Sequence, residues 1–60
     1  MSCPDNGSIK KARETYDKIG KGKIKVEGQQ KEVVKENADK WAACDQGNKG
    51  IYRAAKEKLK

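Results

Sequence analysis

Sixty residues, 33% hydrophobic and 40% charged, leave room for one small domain and exclude a second core or a substrate cleft walled on all sides. Leu, Ile, Val and Phe together number eight, below the roughly one-fifth level at which high charge begins to favour disorder. The formal net charge of +6 carries 13 lysines but only two arginines, Arg13 and Arg53, and there is no histidine.

These counts narrow the chemistry. Without an imidazole there is no general base poised near neutral pH, and neither a Ser/His/Asp nor a Cys/His nucleophile can be assembled. Cys3 and Cys44 alone fall short of the four soft ligands of a structural zinc site. The reading is a non-enzymatic protein with no cofactor and no metal. The longest uncharged run away from the termini, Trp41-Ala42-Ala43-Cys44, is too short to span a bilayer or to form the apolar part of a signal peptide.

In chain order, residues 1–7 (MSCPDNG) read as a flexible, turn-rich tether ending at a Ser8 helix cap. The domain proper is expected over residues 8–60. Ile9, Ala12, Tyr16 and Ile19 recur at helical spacing and predict a first helix over 8–19, closed by Gly20 in the left-handed conformation. Residues 20–28 (GKGKIKVEG) alternate charged and apolar side chains between glycines. They are read as an extended connector that drops Ile24 and Val26 onto the helices as a lid. The competing reading is a basic edge offered to a partner strand.

Residues 29–44 hold neither Gly nor Pro and align Val34, Ala38, Trp41 and Ala42 on one face, with Val33 flanking, which predicts the longest helix. Two glycines break it over 45–50. Ile51, Tyr52, Ala55 and Leu59 then predict a third helix over 50–59, whose closing Lys56, Lys58 and Lys60 suit the negative end of a helix dipole. The fold class is therefore all-α, with three short helices and one extended connector. The candidate core draws on these apolar residues and on Met1, and Trp41, the largest of them, is expected to anchor it between the first two helices against Ile9, Ala12 and Tyr16.

So thin a core calls for a staple, and the cysteines can be tested for reach. If the first two helices form an antiparallel hairpin, the second rises about 24 Å and the first about 16 Å, a shortfall of about 8 Å. An extended stretch over residues 3–8 spans it, which brings Cys3 to Cys44. Two other fates stay open: reduced thiols in a cytosolic chain, or a lipid on Cys3, the residue from which a mature bacterial lipoprotein would begin once Met1 and Ser2 are set aside. A lipid would consume the sulfur and exclude the disulfide. It would also be the chain's only membrane attachment.

The charge pattern suits contact with another protein better than nucleic acid, since base and phosphate recognition favours the guanidinium that is scarce here. Lys21, Lys23 and Lys25 are the candidate interaction residues, because the connector is the one segment that helix packing does not need. Gln29–Leu59 can be fitted to a helix-turn-helix, but its turn is longer than the usual three to four residues and only Arg53 and Lys56 could read bases strongly. A small basic nucleic-acid-binding protein of phage or plasmid origin is the alternative function.

The run Lys35-Glu36-Asn37-Ala38-Asp39-Lys40-Trp41-Ala42-Ala43-Cys44, a polar Gly/Asn turn, and then Ile51-Tyr52-Arg53-Ala54-Ala55-Lys56 resembles the small entry-exclusion lipoproteins of conjugative plasmids. In those proteins an acidic-polar helix runs into a cysteine and an Ala-rich helix follows. Cys44 matches the helix-ending cysteine and Cys3 falls at the lipid-bearing position. The loop before the last helix lacks the second cysteine of that pattern, so the family's internal disulfide is not carried over. The resemblance implies a periplasmic protein anchored to the inner membrane. It would block redundant conjugative transfer by contacting the donor's type IV secretion machinery.

Overall fold

A computed structural model describes residues 3–60. Met1 and Ser2, the start of the expected tether and one core candidate, lie outside the described residues. The described residues form three α-helices and no strand: α1 (Asn6–Gly20), α2 (Gln29–Cys44) and α3 (Lys49–Lys58), with one short 3-10 turn (Gln46–Asn48) leading into α3. The all-α expectation holds, and α2 has the bounds its uninterrupted run of helix formers predicts.

Helix α1 begins two residues before the expected start because Asp5, not Ser8, holds the cap. Asp5 is extended (φ −66°, ψ 164°), and its carbonyl accepts the Ile9 amide at 3.1 Å. Ser8 lies inside the first turn and donates its hydroxyl to Asp5 Oδ1 at 2.8 Å. That bond is the main cause holding the Asp5 carboxyl below its ordinary value. The expected tether is thus shorter, and what is described of it, residues 3–5, leads directly into a helix.

The other end of α1 corrects the role of Gly20. The left-handed residue is Gly22 (φ +78°). Its amide donates to the Ile19 carbonyl at 3.0 Å while the Lys23 amide reaches the Lys18 carbonyl at 2.9 Å, the paired closure of a Schellman motif. Gly20 is the last helical residue and is needed for a different reason. A Cβ there would stand 3.2 Å from Ala54 Cβ and 3.4 Å from the Ala55 amide nitrogen, so its absence lets α1 and α3 cross closely.

That crossing organises the molecule. α1 packs chiefly on α3, α2 also packs chiefly on α3, and α1 and α2 touch each other least. The anticipated hairpin of the first two helices is therefore a minor contact. The buried apolar core comprises Tyr16 and Ile19 from α1, Ala38 from α2, Tyr52 and Ala55 from α3, and Leu59 just beyond it. Tyr16 and Tyr52 meet edge to face, with ring centroids 5.3 Å apart and planes at 61°, a geometry favoured by the ring quadrupoles. Each phenol resolves its polar end separately: Tyr16 donates to the Val34 carbonyl of α2 at 3.0 Å, and Tyr52 donates to Asp45 Oδ2 at 2.9 Å. Burial pushes the Tyr16 hydroxyl above its ordinary pKa.

The connector, residues 21–28, acts as a lid with one residue of the two expected. Val26 packs against the core, whereas Ile24 is 37% exposed. Val33, one position outside the α2 seam, is 55% exposed.

Candidate functional site

The up-down-up course of the helices gives the bundle two unlike ends. At one end lie the start of α1, the end of α2 and the start of α3; at the other lie the end of α1, the connector, the start of α2 and the C-terminus.

At the first end the structure brings Cys3 and Cys44 to disulfide bonding distance, with Cα atoms 5.7 Å apart, inside the usual range for a bridge. The pair thus lies within the reach that the helix-length argument expects, even though α1 and α2 pack weakly. Reach along the chain, not the tightness of the hairpin, decides whether residues 3–5 can arrive at Cys44. Trp41 belongs to this end. It lines a shallow hollow of about 500 Å³ with Cys3, Pro4 and Cys44. It is only partly buried, packing against the edge of the core rather than anchoring its centre between α1 and α2. The α2 residues that line its groove with α3 are Lys35, Ala38, Asp39 and Ala42, whereas Trp41 faces the hollow beside Cys3 and Pro4.

Beneath the cysteine pair is a polar knot that the sequence reading missed. Asp45, 9% exposed, accepts Arg13 Nε at 2.8 Å and Arg13 Nη2 at 3.2 Å. It also accepts Asn48 Nδ2 at 3.0 Å and the Tyr52 hydroxyl at 2.9 Å. One carboxylate thereby ties α1, the turn after α2, and α3 together. The hydrogen bonds from Arg13, then Asn48, lower its pKa from 3.8 to about 2, against the opposing effect of burial. Burial first, and then the bond to Asp45, push the Tyr52 hydroxyl up to about 12. With its oxygens taken by three side chains, Asp45 serves as a structural anchor rather than as a reactive group. The available signal was an acid at a helix end followed by Gly and Asn, together with one of only two arginines.

At the opposite end, Lys21, Lys23 and Lys25 are all exposed on the connector. Lys21 pairs with Asp17 at 3.0 Å, four residues back on α1. Lys23 and Lys25 make no ion pair among the described residues. Lys58 joins them, its Cε lying 3.4 Å from where a Cβ on Gly22 would stand. Lys31 donates to the Lys60 carbonyl at 3.4 Å, closing the start of α2 onto the C-terminus. Two helix C-termini lie here, and their partial negative charge steadies nearby ammonium groups.

Among the described residues, no group of three or more Cys, Asp or Glu is placed to hold a metal ion, and no helix is long and apolar enough to cross a membrane. Comparison with known proteins gives no match to a family model, a curated protein or a solved structure.

Proposed function

We propose that this chain is a non-enzymatic protein-interaction module that meets an acidic protein surface with the lysines of its connector end. One observation carries the reading: Lys23 and Lys25 on the connector and Lys58, whose Cε lies 3.4 Å from where a Cβ on Gly22 would stand, are exposed and make no ion pair among the described residues. Clustered, solvated ammonium groups steer an acidic partner and set encounter rates more than they fix a tight geometry. The cysteine pair supports an oxidising compartment such as the periplasm. A molecule with the Cys3–Cys44 bond carries no lipid on Cys3.

The specific role we propose is exclusion of redundant conjugative plasmids, through contact with a component of the donor's type IV secretion machinery. Its support is the resemblance over Lys35–Lys56. A recipient cell exporting this protein should accept a related conjugative plasmid poorly and unrelated plasmids normally. The triple reversal Lys21→Glu, Lys23→Glu and Lys25→Glu should restore acceptance. Unchanged mating, together with DNA retention that falls steeply with salt, would instead identify a nucleic-acid-binding protein.

A further inference from the structure

A second surface is independent of the connector. The groove between α2 and α3 has a volume of about 450 Å³, with Ala38, Ala42 and Tyr52 among its lining residues. Lys49, Arg53 and Lys56 stand on its α3 wall at positions i, i+4 and i+7, and Lys60 continues the row. On α3 these spacings correspond to rises of about 6 Å and then about 4.5 Å. The groove has acids too, but they are engaged: Asp39 accepts Lys56 at 2.7 Å and Glu57 pairs with Lys60 at 3.2 Å. Lys49 and Arg53 have no acidic partner among the described residues.

We propose that this groove takes an acidic amphipathic helix of a partner protein, whose small apolar side chains enter beside the partly exposed Ala42 while its carboxylates pair with the exposed Lys49 and Arg53. Three observations select that occupant. The described residues contain no strand and hence no sheet edge for an extended peptide to join, whereas a furrow between two helices suits a third helix. A helix carrying carboxylates at i and i+4 repeats the spacing of Lys49 and Arg53 on α3. A second copy of this chain would bring a like net charge of +6. Ala38 and Tyr52 are already buried, which leaves Ala42 as the partly open apolar residue of the groove floor, so discrete charge pairing sets the specificity.

The test uses the intact oxidised chain and a synthetic helical peptide with Glu at i, i+4 and i+7 on one face and Ala and Leu beside them. A peptide of the same composition with the Glu positions permuted serves as the comparison. Amide NMR shifts on titration should fall on Ala38, Ala42, Arg53 and their neighbours. Lys49→Glu and Arg53→Glu, both at exposed positions, should each weaken binding by about tenfold or more, with the melting curve retained. Lys23→Glu with Lys25→Glu should leave this binding intact, so failure of the groove and failure of the connector reading are told apart. Equal binding of the permuted peptide, shifts confined to the connector or to Trp41, displacement by an oligonucleotide, or no binding at all would each overturn the proposal.

Discussion

At the cysteine end, Cys3 lies at bonding distance from Cys44 and Asp45 takes hydrogen bonds from Arg13, Asn48 and Tyr52. At the connector end, Lys23 and Lys25 have no acidic partner among the described residues, and the one close ion pair of the connector, Lys21 with Asp17, is exposed on both sides. The core between the ends is small, and half of its six buried residues come from α3 and the residue after it. A chain with so little to bury gathers its specific ties where three elements converge. The other end is left to the solvent, with Lys21, Lys23 and Lys25 exposed. The specific ties concentrate at the cysteine end, and that asymmetry can be broken experimentally.

The largest effect should come from opening the cysteine pair. Closing a loop across 41 residues of separation is worth about 4 kcal/mol in the chain-entropy account, close to the whole stability of a domain this size. Reduction, or Cys44→Ser, should therefore lower Tm by roughly 20 °C or abolish the cooperative transition, as followed by circular dichroism with and without reductant. Coincident melts would mean that the two ends are equally dispensable.

Asp45 comes next. Asp45→Ala strands Arg13 and the buried Tyr52 hydroxyl and should lower Tm by roughly 10 °C. Its pH signature has a definite sign. Because the folded carboxyl titrates at about 2 rather than 3.8, its contribution is complete above the higher value and is lost as pH falls from there toward 2. Tyr52 works in the opposite sense: its hydroxyl, raised from 10.0 to about 12, stabilises the fold below pH 10 and ceases to do so as pH rises toward 12. Melting curves across both windows should show an acid limb that shrinks in Asp45→Asn and an alkaline limb that shrinks in Tyr52→Phe.

How far these features were legible follows from range. Helix existence, the α2 bounds and the cysteine partners depend on local periodicity and on chain reach, both of which a sequence displays. The Asp45 knot depends on Arg13, 32 residues away, and no local pattern announces it. Gly20 shows the same limit: a helix-ending glycine suggests a left-handed turn, yet the turn is at Gly22 and Gly20 serves a close crossing with Ala54 that exists only in three dimensions. The row of cations over 49–60 follows from helical spacing alone, but the α2–α3 groove sets it against Lys35, Ala38, Asp39 and Ala42 of α2, a juxtaposition that exists only once the two helices pack.

Trp41 offers a sharper comparison within the cysteine end. A fully buried tryptophan truncated to alanine costs about 3–5 kcal/mol. Trp41 packs only against the edge of the core, with part of its face open beside Pro4. Trp41→Ala should therefore cost about 1–2 kcal/mol and leave a cooperative melt. A collapse of the fold would show the indole to be the anchor that its size suggests.

The smallest effect on stability belongs to the connector. Lys23 and Lys25 are exposed and make no ion pair among the described residues, so replacing them by glutamate removes no stabilising contact. Exposed substitutions of this kind stay within about 0.5 kcal/mol of zero. Here the sign should be slightly favourable at low salt, since each reversal relieves repulsion among neighbouring lysines, and the gain should fade as salt screens it. Lys21→Glu differs, because it sets two like charges four residues apart with Asp17 and should cost about 0.2–0.5 kcal/mol. Tm measured for the three single variants at low and high salt separates these outcomes. A large loss at Lys23 or Lys25 would mean that the connector contributes to the fold. Small shifts accompanied by restored plasmid acceptance would assign those lysines to binding alone.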